Sequence, residues 1–215
     1  LFEGKLKLFQ ARSGYRFSLD ALLLAHFMTC RHGEKIVDLG TGNGVIALIL
    51  AYLDSSLSIT GVESQLSMID RASRNVRLNE FEARVKITQA DVADIQKTFS
   101  PESFAAVVCN PPYRRTTSGR ISPNAERKIA RHEIAAGLAD FLRAAAYLLP
   151  TKGRIALVYP ALRLVDVLHS MRNANLEPKR LRMVHSFADA KAALVLTEGV
   201  KGGRSGGIEV LSPLN

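Results

Sequence analysis

At 215 residues, 47% of them hydrophobic, the chain is long enough to bury a full core in one domain without disulfide support. Lys and Arg number 29 against 20 Asp and Glu, and the resulting +9 favours a polyanionic partner, RNA or DNA first, or else a solvated basic surface. No apolar run approaches the ~18 residues of a membrane span, and two cysteines alone, Cys30 and Cys109, exclude a disulfide scaffold and fit a reducing cytoplasm.

The start, Leu1-Phe2-Glu3-Gly4-Lys5, lacks the charged-then-apolar plan of a signal peptide. It also lacks an initiator Met, which leaves room for residues ahead of Leu1. Residues up to about Arg16 read as short extended pieces with turns. Ser18 suits the N-cap of a helix through Leu19, Leu22, Leu23, Ala25, His26 and Phe27, with Gly33 as its stop. Strand and helix then alternate. Lys35 to Asp38 predicts a strand, Val45 to Leu53 a buried helix, and Ser58 to Glu63 a second strand. Leu66, Ile69, Ser73 and Val76 mark one face of the next helix. Arg84 to Thr88 is a third strand, followed by a short helix from Val92 to Thr98, and Phe104 to Cys109 is a fourth strand.

A polar, Arg-rich loop from Arg114 to about Asn124 leads into a long helix ending near Leu149. Arg154 to Tyr159 is a fifth strand and Ala161 to Arg172 a helix. Leu181 to His185 and Ala193 to Glu198 are close enough to pair as a hairpin. The Gly-rich stretch from Gly199 to Gly207 suits a hairpin tip or a mobile loop. The alternation predicts an α/β fold: a doubly wound, mostly parallel seven-stranded sheet of Rossmann-like form with an antiparallel C-terminal hairpin. One domain is expected, with an extension and helix over residues 1–32, a core over 33–160 and a C-terminal helix and hairpin over 161–215.

In an open α/β sheet, ligands bind beyond the carboxyl ends of the strands. Four consecutive strands here end in a polar group: Asp38, Glu63, Asp91 and Asn110. The first turn reads Asp38-Leu39-Gly40-Thr41-Gly42-Asn43-Gly44, with glycines that allow a tight turn and close approach of a ligand. A dinucleotide would put its pyrophosphate at this helix start, next to the Asp38 carboxylate, which is unfavourable. A ligand with an ammonium and a sulfonium, such as S-adenosylmethionine, suits an acidic lining instead. Glu63, about 20 residues past the turn, can accept from both hydroxyls of a ribose. Asp91 can accept from an adenine amino group, or cap the short helix that begins at Val92.

Asn110-Pro111-Pro112-Tyr113 is the most informative stretch. An Asn after a buried strand offers a side-chain carbonyl, and a Pro that lacks an N–H leaves a backbone carbonyl beside it. Two carbonyl oxygens can then grip one planar NH2 group while the Tyr113 ring stacks on the system that carries it. In that arrangement Asn110, Pro111 and Tyr113 are the catalytic candidates.

Together these residues resemble a class I S-adenosylmethionine-dependent methyltransferase, from the first-motif turn through the strand-end acid to the NPPY motif. That class implies methyl transfer to a planar nitrogen: an adenine or guanine amine, or a glutamine amide. Gln10, the run Gly14-Tyr15-Arg16-Phe17-Ser18-Leu19-Asp20-Ala21-Leu22-Leu23-Leu24-Ala25, Gly202-Gly203-Arg204 and the Leu211-Ser212-Pro213-Leu214 ending are similar to the family that N6-methylates adenosine 37 of a valine tRNA. Ser212 departs from the second Pro often found there. The resemblance implies that Asp38, Gly40, Thr41, Gly42 and Gly44 line the methionine part of the cofactor, that Glu63 holds its ribose and Asp91 its adenine edge. It implies that Asn110 also borders the cofactor, and that Arg16, Ser18 and Asp20 lie beside the sulfonium. Release-factor glutamine methyltransferases share NPPY, but they carry an N-terminal helical domain for which residues 1–32 leave little room.

Pro112, Tyr113, Arg114, Arg115, Arg120, Arg127 and Lys128, with Arg131 beyond them, are placed to meet substrate, their cations against RNA phosphates. Lys179, Arg180 and Arg182 extend that track. The expected partner is nucleic acid, tRNA foremost, with no membrane and no metal, in a monomer or weak dimer. The five histidines match no metal-binding spacing, and no Ser or Cys sits in a nucleophile elbow. Two alternatives stand beside a tRNA adenine methyltransferase: an NPPY enzyme acting on rRNA, DNA or a glutamine side chain, and a non-catalytic RNA-binding protein of the same fold.

Overall fold

A computed structural model describes residues 1–10, 19–112 and 137–215. In chain order it runs through a 3-10 turn (Phe2–Gly4), α1 (Leu19–Phe27), β1 (Lys35–Leu39), α2 (Val45–Leu53), β2 (Ser58–Glu63), α3 (Leu66–Leu78) and β3 (Val85–Gln89). A 3-10 helix (Val92–Lys97) and β4 (Ala106–Cys109) follow, and helix α4 covers residues 137–148. The remainder is β5 (Arg154–Pro160), a 3-10 turn (Ala161–Arg163) into α5 (Leu164–Asn173), β6 (Leu176–His185), β7 (Ala192–Lys201) and β8 (Glu209–Leu214).

The strands form one sheet in the order β3-β2-β1-β4-β5-β7-β6-β8. Neighbours from β3 to β5 are parallel, and β7 is antiparallel to both β5 and β6. Side-chain alternation divides the core between the two faces. In β4, Ala106 and Val108 join α1 and α2 in one apolar layer, while Val107 and Cys109 join α4 and α5 in the other. In β5, Ala156 and Val158 take the first layer, and Ile155, Leu157 and Tyr159 the second. Strands buried on both faces read as near-continuous Val, Ile and Leu, and so β1, β4 and β5 were visible from composition alone.

The sheet has eight strands, not seven. The eighth, β8, lies parallel to β6 at the edge, tucking Leu211 and Leu214 against the core and carrying Pro213 where an edge strand tolerates it. The Gly-rich stretch is accordingly neither a hairpin tip nor a mobile loop. It is a connector pinned by Glu177, which accepts the Gly206 amide at 2.8 Å, and by Lys179, which donates to the carbonyls of Arg204 and Gly206.

Three other expectations are corrected. The face of α3 is Ala72, Asn75 and Val76, and Leu66 is 68% exposed, because the helix meets the sheet through its middle rather than its first turn. The segment after β5 begins as 3-10 and becomes α-helical at Leu164. Helix α1 stops at Phe27, and Gly33, at φ +74°, serves the turn into β1. Cys30 and Cys109 are both free thiols, and burial pushes the Cys30 pKa up to about 11. Among the described residues, no helix is long and apolar enough to cross a membrane.

Candidate active site

Strand register brings the predicted polar groups together. Leu39 pairs with Val62 on one side and Cys109 on the other. The residues that follow, Gly40, Glu63 and Asn110, therefore leave three adjacent strands at one level. This is where the strand order reverses, with β2 and β4 on opposite sides of β1.

The turn after β1 needs its glycines. Gly40 has φ +69°, and a Cβ built there would sit 3.0 Å from two atoms of the Phe141 ring on α4. Gly44 caps α2 at φ +83°, and its added Cβ would meet the Cβ of Ala72 at 3.3 Å. The Thr41 amide donates to the Val62 carbonyl at 2.9 Å, which folds the turn over β2.

Asp38 lies under this turn and is wholly buried. Its Oδ2 accepts from the Thr41 hydroxyl at 2.6 Å, while Oδ1 has no hydrogen-bond partner among the described residues. Burial pushes its pKa up to about 7, against the pull of the Thr41 hydroxyl and the Ala47 amide and with help from the Glu63 charge. Glu63, 8% exposed, is held by backbone amides: Oε2 accepts from Gly42 at 3.0 Å, and Oε1 from Ser64 at 2.9 Å and Gln65 at 3.0 Å. Neither acid forms an ion pair among the described residues. The pair therefore sets two carboxyl groups, one of them wholly buried, beneath and beside the turn, an environment that suits a cationic ligand and opposes a pyrophosphate.

Asp91 does cap the 3-10 helix, its Oδ1 accepting from the Ala93 amide at 2.9 Å. It is exposed and lies two residues beyond the end of β3, at the same edge of the sheet. Asn110 is half-buried, Pro111 buried and Pro112 exposed, at the mouth beside the turn. Asp20 is buried in the first turn of α1. Arg16, Ser18, Tyr113, Arg114, Arg115, Arg120, Arg127, Lys128 and Arg131 lie outside the described residues.

The second basic group is turned inward. Arg180 pairs with Glu198 at 3.4 Å, donates to the Thr29 hydroxyl and stacks 5.0 Å over the Phe27 ring, while Lys179 is spent on the Gly-rich connector. A different feature lies along this edge. Pro160 and Val184 flank Leu194 in the register, so the segments leaving β5 and β6 open on the same edge as Asn110. Those segments carry the exposed apolar residues Leu162 (95% exposed), Val165 (78%) and Phe187 (72%). Sequence reasoning missed them because exposure of an apolar residue has no local signature. It also passed over Asn43, which stands in the turn with both side-chain polar atoms buried and unpartnered among the described residues. Among those residues, no three His, Cys, Asp or Glu side chains gather as a metal site.

A reversal of strand order beside a glycine turn, with acids under and beside it, is the layout of a Rossmann-like methyltransferase, and solved structures share it. A predicted O-methyltransferase from Agrobacterium tumefaciens superposes with a TM-score of 0.75 at 22% identity, over 91% of this chain and 86% of that one. TrmN from Thermus thermophilus gives 0.63 at 20% identity, over 84% of this chain and 48% of that one. These likenesses concern the fold. The chain belongs to the methyltransferase small domain family, whose model matches residues 18–172.

Several curated relatives carry the name tRNA1(Val) (adenine(37)-N6)-methyltransferase. The protein from Tolumonas auensis is 30% identical over 152 residues, that from Trichodesmium erythraeum 34% over 155, and that from Parabacteroides distasonis 26% over 197. These matches cover 70%, 70% and 90% of this chain and 62%, 63% and 80% of the relatives. The chain thus spans just under two thirds of the first two.

Proposed function

We propose that this protein transfers a methyl group from S-adenosylmethionine to the N6 amine of an adenosine in tRNA, with position 37 of a valine tRNA the favoured target, in the cytoplasm. The observation that carries the reading is the meeting of Asn110 with the Asp38–Glu63 pocket edge at one level of the sheet. The relatives' names supply the nucleotide. When bound, S-adenosylmethionine provides a methyl group already activated on a sulfonium.

The residues present fit that ligand. Asp38, with its orphaned oxygen, and the turn from Gly40 to Gly44 are suited to the cationic methionine part. Glu63 keeps one lone pair, on Oε2, for a ribose hydroxyl beside its three backbone donors, and Asp91 keeps one oxygen for an adenine edge. Arg16, Ser18 and Asp20 complete the cofactor side of the proposal.

An adenine amine is a poor nucleophile because its lone pair is delocalised into the ring. The Asn110 side-chain oxygen and the Pro111 carbonyl accept its two hydrogens, turn the lone pair toward the cofactor pocket and stabilise positive charge as it grows on nitrogen. Oriented approach of this kind is worth about 7–11 kcal/mol. Tyr113 and Pro112 pack the flipped base, a stack worth about 1–3 kcal/mol. Arg114, Arg115, Arg120, Arg127 and Lys128 meet phosphates, so RNA affinity falls steeply with salt.

The test incubates the protein with labelled S-adenosylmethionine and separate pools of tRNA, rRNA and protein, followed by nucleoside mass spectrometry. Label in N6-methyladenosine from tRNA is the expected result. Label confined to rRNA or to glutamine would replace the substrate, and no label in any pool would reject the activity.

A further inference from the structure

Two asparagines stand four residues apart along α3, Asn75 inside the helix, where Ala or Leu would serve it better, and Asn79 at its C-cap. Each binds both backbone groups of one residue in the amino-terminal segment. Asn79 accepts from the Lys7 amide at 2.9 Å and donates to the Lys7 carbonyl at 2.8 Å. Asn75 accepts from the Phe9 amide at 2.6 Å and donates to the Phe9 carbonyl at 3.1 Å. The match is geometric: residues i and i+2 of an extended chain are about 6.6–6.8 Å apart, and positions i and i+4 of a helix rise about 6 Å. Two side-chain amides thus replace a neighbouring β-strand. Because each amide both donates and accepts, its orientation is fixed by the pairing.

Asn75 does one thing more. Wholly buried, it also donates to the Asn43 carbonyl at 2.9 Å, in the turn between Gly42, whose amide holds Glu63, and Gly44, which caps α2. One amide therefore bonds both the amino-terminal segment and the turn that lines the cofactor pocket. If Phe9 undocks, the buried Asn75 oxygen loses its partner, the amide is free to reorient, and the Asn43 carbonyl loses its donor. Around this segment, Leu6 is buried, Phe2 stacks on Tyr52 at 4.5 Å and Arg74 lies 5.0 Å over Phe9.

We propose that Asn75 is a positioning residue that couples docking of the segment Lys7–Phe9 to methyl-donor binding at the glycine turn, so that each strengthens the other. This rests on the function proposed above and adds a site of control to it. Asn79 is the discriminating position, since it holds Lys7 and, among the described residues, bonds no residue of the turn, its other contact being the Asn75 carbonyl at 2.8 Å.

The experiment measures S-adenosylhomocysteine affinity by calorimetry and trypsin cleavage after Lys7, with and without that ligand, for the unaltered protein, Asn79→Ala and Asn75→Asp. In the unaltered protein the ligand is expected to slow cleavage after Lys7. Asn79→Ala is expected to speed ligand-free cleavage and to weaken ligand affinity by about 5–20-fold. Asn75→Asp keeps the acceptor for the Phe9 amide but loses both donors, to the Phe9 and Asn43 carbonyls, so affinity falls further and the ligand no longer slows cleavage. Asn79→Ala that frees the segment yet binds with unchanged affinity would overturn the coupling. So would cleavage of the unaltered protein that ignores the ligand. No binding to the unaltered protein at all would overturn the functional reading and the coupling with it.

Discussion

At the amino-terminal end of the sheet Arg154 lies 2.6 Å from Glu34, and Arg180 is 3.4 Å from Glu198. At the carboxyl end, among the described residues, Asp38 and Glu63 meet a hydroxyl and backbone amides and no cation. All of these acids are buried or nearly so, yet one set is neutralised by arginine and the other has no cationic partner among the described residues. Desolvation of an unpaired carboxylate is costly, and a fold has no stability reason to accept that cost at one end while avoiding it at the other. The contrast agrees with the proposal that the carboxyl end takes a ligand that brings positive charge, while the ion pairs of the amino end contribute to stability.

Breaking the amino end should cost most. Arg154→Ala leaves Glu34 buried without its partner, and a loss of about 3–5 kcal/mol is expected in urea unfolding, with S-adenosylhomocysteine affinity unchanged at temperatures where the protein stays folded. The mirror-image change is Asn110→Ala. It should leave the urea midpoint and cofactor affinity intact while the single-turnover methylation rate drops by about 100–1,000-fold; an unchanged rate would remove Asn110 from the chemistry.

Asp38 sharpens the comparison through pH. Its folded pKa of about 7 stands above the ordinary 3.8. Its contribution to ligand-free stability is therefore fully present below about pH 3.8 and is lost as pH rises through about 7. Ligand affinity should run the opposite way. The ionised carboxylate is the form that holds a cation, so affinity should rise about tenfold per pH unit below 7 and level off above it. Calorimetry across that window is expected to show proton release on binding, and Asp38→Asn should flatten the dependence. The smallest effect concerns the substrate edge. If Phe187, exposed at that edge, packs on RNA, Phe187→Ala should raise the KM for RNA about fivefold, or about 1 kcal/mol, with cofactor affinity untouched.

Much of the carboxyl end was legible in the sequence because it is local. A glycine turn directly after a strand, an acid closing the next strand and Asn-Pro-Pro closing a third each announce themselves within a few residues. The two Asp91 readings could not be separated in that way, and they do not exclude each other: the cap to Ala93 uses one carboxylate oxygen, and the proposed adenine contact needs the other. The amino end was illegible for the converse reason: Arg154 and Glu34 are 120 positions apart. Lys179 and Arg180 read as a basic track until the fold turned them toward Arg204 and Glu198.

The sequence by itself determined the alternation of buried strands and helices, the order of polar strand ends and the conformational freedom of the first turn, all set by short-range periodicity and backbone sterics. It took the assembled fold to set β8 at the edge, the Phe141 ring in the space beside Gly40, the asparagines within and at the end of α3 in place of a strand, and Asp38 so far from water that its pKa rises to about 7. Each of these depends on what distant segments place around a residue, and burial and partnership are properties of the assembled chain.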